Sequence, residues 1–196
     1  MIKLKQLLLE STAPDIFIPR RMEDRVERMI KDYVRNGIKG NLDLSTMELT
    51  VLPDILKDIS VGGNFFCDHN KLTSLENCPK TVGGSFDCRV NKLTSLKNSP
   101  SIVVGSFFCG HNKLTTLAGS PSSVGRNFDC SYNDLTSLEF APTNVGRDFW
   151  CGVNDLTSLE FAPTNVGRDF DCIENQVKFT KEQVRAVCDV KGDIYV

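Results

Sequence analysis

The sequence predicts a solenoid of short parallel strands closed by a helical cap at each end. Three observations carry this: a strict 21-residue period, apolar ladders in register with it, and different patterning at both ends. Cysteine recurs at Cys67, Cys88, Cys109, Cys130, Cys151 and Cys172 within the frame V-G-[GR]-x-F-x-C-x-x-N-x-L-T-S-L-x-x-x-P. A period this short makes each copy one turn of a superhelix, burying its apolar face only against its neighbours.

Four segments follow in chain order: an N-terminal segment (1–15), a capping helix (16–37), the repeats (38–179) and a C-terminal cap (180–196). In the second, Ile18, Met22, Val26, Met29, Ile30, Tyr33 and Val34 recur at helical spacing, with Pro19 suited to a first turn and Gly37 to a stop. Leu42, Leu44, Leu49, Leu52 and Pro53 then fit a degenerate first repeat. In each full repeat the Phe and Cys two apart share one face of a short strand. The Asn three residues after Cys ends that strand, its amide placed to satisfy buried backbone groups. The proline row Pro79, Pro100, Pro121, Pro142 and Pro163 denies the return a regular helix and predicts an irregular convex side. Thr180-Lys-Glu-Gln183 reads as a capping box opening a short helix, and the tail from Asp193 as a closing strand.

The motif F-x-C-x-x-N-x-L resembles the leucine-rich repeat frame L-x-L-x-x-N-x-L, with Phe and Cys in place of the first two leucines. The Pro-containing return is similar to the short bacterial class of these repeats. It is more similar still to a Cys- and Phe-rich 21-residue variant in uncharacterised proteins of large tailed phages. The resemblance covers about residues 40–179. It implies a leucine-rich repeat solenoid, with strands on the concave face, and a binding scaffold with no fixed catalytic residues. Bacterial effectors of this type that ligate ubiquitin carry a separate catalytic domain after the repeats, for which the residues beyond Asn175 are too few.

Composition agrees with a single soluble domain: 196 residues, 40% apolar, net charge −2. No apolar run approaches the ~18 residues of a membrane span, and the near-neutral charge gives no reason to expect nucleic acid. The ladder cysteines are read as free, buried, small hydrophobes, since no C-x-x-C or inward His supports metal binding. No cofactor is expected, the protein is expected to be a monomer, and its compartment reducing, the bacterial cytoplasm.

Function falls on exposed strand positions. The residue between Phe and Cys runs Phe66, Asp87, Phe108, Asp129, Trp150, Asp171, an alternation of aromatic and acid expected to line the concave surface. Arg89, His111 and Tyr132 flank it. Aromatic anchors dominate interface energetics, so this stripe is expected to bind a protein partner. The competing reading has aromatics shielding the sheet and acids solubilising it. An enzyme is the remote alternative: Asp87, Asp129, His111 and Arg89 share a face, but their spacing follows the ladder.

The segment Met1–Glu10 is too short for a secretory signal. It fits a plain terminus or an amphipathic turn packed on the cap. It also resembles the capsid-targeting sequences of internal head proteins in large tailed phages. Those are cleaved after a Leu-x-Glu pattern, and Leu8, Glu10 and Ser11 match it. That resemblance implies a virion-head protein delivered to bind a host protein.

Overall fold

The structure, a computed structural model, describes residues 22–196; segment 1–15, with Leu8, Glu10 and Ser11, and the expected turn around Ile18 and Pro19 lie outside the described residues. Helix α1 (Met22–Arg35) buries Val26, Ile30, Tyr33 and Val34. Those positions, i, i+4, i+7 and i+8, fall on one helical face. Gly37, at φ +78°, stops the helix, with Ile38 N–H donating back to Tyr33 O at 3.1 Å. The Tyr33 hydroxyl donates to Ile38 O and accepts from Gly62 N–H, each at 3.1 Å, tying the cap to the first turns.

The repeats form a parallel-strand solenoid of about seven turns. One eight-stranded parallel sheet runs its length, pairing the two-residue strands Leu42–Asp43, Phe65–Phe66, Phe86–Asp87, Phe107–Phe108, Phe128–Asp129, Phe149–Trp150, Phe170–Asp171 and Ile194–Tyr195 in that order. The first residue of each strand points inward. Phe65 through Phe170 are fully buried, and successive ring centroids lie 5.1–5.8 Å apart. Each such ring contributes about 2–3 kcal/mol of burial. Leu42 and Leu44 take the Phe and Cys places in the degenerate first turn.

Cysteine does more than fill space. Each ladder Sγ donates to a backbone carbonyl of the following turn, from 3.1 Å (Cys109 to Asp129 O) to 3.7 Å (Cys172 to Tyr195 O). All eight cysteines are free and buried. Burial pushes the thiols of Cys67, Cys78, Cys88, Cys109, Cys130 and Cys151 well above their ordinary range, and those of Cys172 and Cys188 up to about 12 and about 11.

The asparagines act as the sequence predicts. Asn112 Nδ2 donates to Cys88 O, Cys109 O and Gly110 O at 3.0–3.3 Å, while its Oδ1 accepts from Leu93 N–H at 3.1 Å. One amide thus stitches two turns. The residue before each Asn pays for this sharp corner with a left-handed backbone: His69, Val90, His111, Tyr132, Val153 and Glu174 have φ of +51° to +55°.

The return limb is more regular than expected. Instead of an irregular run from Pro to the next Phe, the valine row forms short parallel ladders. Thr81–Val82 pairs with Ile102–Val103, and Ser123–Val124, Asn144–Val145, Asn165–Val166 and Asp189–Val190 form a second sheet. The turns stack closely at the residues that come next: a Cβ on Gly146 would lie 2.2 Å from Gly125 O. The ladder breaks between Ile102–Val103 and Ser123–Val124, beside Val104, which occupies the slot held elsewhere by Gly83, Gly125, Gly146 and Gly167.

At the far end helix α2 (Lys181–Val187) replaces a convex turn. Its capping box is formed: Gln183 N–H donates to Thr180 Oγ1 and Thr180 N–H to Gln183 Oε1. Ile194–Tyr195 then closes the concave sheet, as the tail predicts.

Candidate partner-binding face

The second residue of each concave strand looks away from the core. In register these positions are Asp43, Phe66, Asp87, Phe108, Asp129, Trp150, Asp171 and Tyr195, so acid and aromatic alternate without a break across all eight strands. The sequence reading found six of the eight. Asp43 and Tyr195 escaped it because their strands carry Leu or Ile in place of Phe; the signal was an x between two apolar residues in Leu42-x-Leu44 and Ile194-x-Val196.

The two residue types sit at different depths. Phe66, Phe108 and Trp150 are half-buried and Tyr195 is 48% exposed. Asp87 and Asp129 were expected on the open surface, yet they are only 4% and 7% exposed. Their short side chains sink between taller aromatic neighbours, and each carboxylate has a local task. Asp43, Asp87, Asp129 and Asp171 accept, through Oδ1, the N–H two residues on (Ser45, Arg89, Ser131 and Ile173) at 2.9–3.0 Å. These Asx turns satisfy the N–H where the strand ends. Beside Phe108 and Trp150 the chain provides Gly110 and Gly152, both buried. A Cβ on Gly110 would come within 3.1 Å of both Asp129 oxygens, and one on Gly152 within 3.1 Å of Asp171 Oδ1.

The acids differ in what else they hold. Asp87 is spoken for by Arg89, whose Nε and Nη2 bind its carboxylate at 2.6–3.2 Å and whose guanidinium lies 4.8 Å from the centre of the Phe108 ring. Among the described residues, Asp129 accepts hydrogen bonds only from Ser131, through its N–H and its hydroxyl, and Asp171 only from Ile173 N–H, with Arg89 and His111 attracting Asp129 from further off. Desolvation pushes both carboxyls up from their ordinary range, and these hydrogen bonds oppose it. Asp148, on the flanking row, is fully buried and paired with Arg168 at 2.5–2.6 Å.

His111 and Tyr132 lie on the rim, both exposed, with rings stacked 4.1 Å apart at 12°. They occupy the left-handed corner, so their backbone is fixed by the Asn that follows. His111 and Tyr132 therefore frame the stripe, while Arg89 reaches into it onto Asp87 and Phe108. Among the described residues no group of three or more His, Cys, Asp or Glu is placed to hold a metal ion.

The convex side carries a feature the sequence reading missed. Phe140 and Phe161 are 55% exposed, at φ +68° and +64°, in a slot that earlier turns fill with Asn77, Asn98 and Gly119. The legible signal was the change from turn-forming residues to Phe at one repeat position.

No family profile matches the chain, and no curated protein matches it in sequence. Among solved structures, the leucine-rich repeat domain of a Shigella effector is similar, with a TM-score of 0.54 at 18% identity over 98% of this chain and 94% of that one. At that identity the likeness speaks for the fold alone. Together with the ladders described above, it defines a leucine-rich-repeat-like solenoid.

Proposed function

We propose that the chain is a non-catalytic repeat scaffold that binds a protein partner through its concave face. The observation that carries this reading is the unbroken alternation of aromatic and acid over eight strands. Core packing does not require it: the inward Phe and Cys ladders already fill the interior. The four aromatics form ridges, each separated by a trough with a carboxylate on its floor. Regularly spaced, partly exposed aromatics on a rigid sheet lose little entropy on binding and supply apolar anchors.

The test is capture of interacting proteins by the intact chain against a Phe108→Ser, Trp150→Ser double variant, with Phe161→Ser as a convex control. Loss of specific captured species in the concave variant alone supports the reading. Loss only in the convex variant would transfer the binding face to the outer surface and overturn it.

A further inference from the structure

We infer that the element recognised by the concave face is a polyproline-II segment bearing a basic residue at every third position; this rests on the concave reading above. Phe66, Phe108, Trp150 and Tyr195 sit on alternate strands of one parallel sheet, so with strands ~4.8 Å apart successive ridges recur every ~9.6 Å and the four span ~29 Å. A polyproline-II helix has three residues per turn at ~3.1 Å each, so one face repeats every ~9.3 Å, or ~28 Å over three turns. An extended strand repeats one face every ~6.7 Å and falls out of step at the first ridge. An α-helix regains a face after seven residues, ~10.5 Å, and drifts to ~31.5 Å over the same three intervals. Only the first stays within about 1 Å of the ridges along the whole face.

Both oxygens of Asp87 are taken by Arg89, so the trough between Phe66 and Phe108 is neutralised. In the next two troughs Asp129 and Asp171 use only Oδ1, and Oδ2 carries no hydrogen bond among the described residues. Those two carboxylates are again two strands apart. A ligand side chain that meets one meets the other a polyproline-II turn later, and the matching group is cationic. Prolines over Trp150 and Tyr195, the ridges beside the open troughs that no guanidinium covers, complete the fit, since their fixed φ holds the ligand extended in advance.

Trp150 is the sole tryptophan of the chain and lies between the two open troughs, so its emission reports occupancy directly. The full chain is titrated with a blocked peptide of four Pro-Pro-Arg repeats. Parallel titrations use four Gly-Ser-Arg repeats, four Pro-Pro-Glu repeats and a neutral oligosaccharide. The expected result is a saturable shift of Trp150 emission with the first peptide and at least tenfold weaker binding of the others. Asp129→Asn with Asp171→Asn keeps each Oδ1 acceptor, and a thermal melt checks the fold; this variant should bind the first peptide at least tenfold more weakly. Equal binding of Gly-Ser-Arg repeats, equal binding by the Asn variant, a response to the oligosaccharide alone, or no response overturns the inference. If it fails while the Phe108, Trp150 variant still loses its captured partner, the concave reading survives and only the polyproline-II assignment falls.

Discussion

Cys109 Sγ donates to the carbonyl oxygen of Asp129, 3.1 Å away in the next turn, and that same oxygen accepts the Cys109 N–H at 2.8 Å. Both lone pairs of the carbonyl are therefore used, and the thiol hydrogen has a partner inside an apolar core. Repeated along the ladder, this explains why a small donor recurs where a leucine frame would place an aliphatic side chain. It also ties the fold to the protonated thiol.

Alkaline pH should dismantle the protein. Thiols of the unfolded chain ionise near pH ~8.5, whereas burial holds the folded values of Cys67, Cys78, Cys88, Cys109, Cys130 and Cys151 well above that. Stability is then complete below the unfolded value and is lost as pH rises toward the folded ones. Each such thiol removes about 1 kcal/mol between about pH 8.5 and 9.5, and six remove about 6 kcal/mol, a large part of a usual domain stability. The urea midpoint should be flat up to about pH 7, begin to fall toward about pH 8 and drop steeply beyond. A midpoint unchanged to pH ~10 would mean that these thiols titrate freely in the folded state.

Asn112→Ala should cost about 2 kcal/mol, because it orphans Leu93 N–H and removes one of the two donors to each of Cys88 O, Cys109 O and Gly110 O. Asn112→Asp keeps the acceptor but loses the donors and should cost a similar amount. Denaturant unfolding measures both. Wild-type stability in either variant would contradict the stitching role.

Val90 and Val153 are β-branched residues held at φ +52° and +53°. Left-handed backbone is costly for such side chains and tolerable for asparagine. Val90→Asn and Val153→Asn should each raise stability by about 1 kcal/mol, read as a higher melting temperature. A lower one would show that valine contacts outweigh backbone strain.

Gly146→Ala should destabilise by about 2 kcal/mol or more, since the new Cβ meets backbone oxygen rather than a movable side chain. Nuclear magnetic resonance should show faster exchange at Gly146 N–H, which bonds Val124 O at 3.0 Å. An unperturbed amide would show that the turn can widen at no cost.

Most of the architecture was legible because a one-dimensional period repeats every contact. Once Phe and Cys are in register, burial of one copy implies burial of all, and both caps follow from helical spacing and the Thr180/Gln183 box. Depth was not legible. Alternation places Asp87 and Phe108 on the same outward side, but only side-chain length and the N–H at the strand end decide that the acid sinks and the ring stands. Backbone sign was hidden too: nothing in Val90 or Val153 announces a left-handed corner, which the neighbouring Asn91 and Asn154 impose. The return ladder was missed because each of its strands offers one buried Val beside a residue of varied type (Thr81, Ile102, Ser123, Asn144, Asn165), with no second apolar position to mark a strand.

The break in that ladder beside Val104 gives the molecule uneven cooperativity. Each turn leans only on its neighbours, so unfolding is a chain of nearest-neighbour couplings, and the weakest link sets where it parts. Here the concave sheet continues from Phe86 through Phe107 to Phe128 while the return ladder stops between Val103 and Val124. On the return side the turns stay joined by the Arg126 N–H to Gly105 O bond at 3.0 Å, so the seam has fewer ladder bonds than its neighbours. Hydrogen exchange should resolve two units, one on each side of the seam, with different opening free energies. The seam lies beside Phe108, so the two halves of the aromatic row belong to different unfolding units.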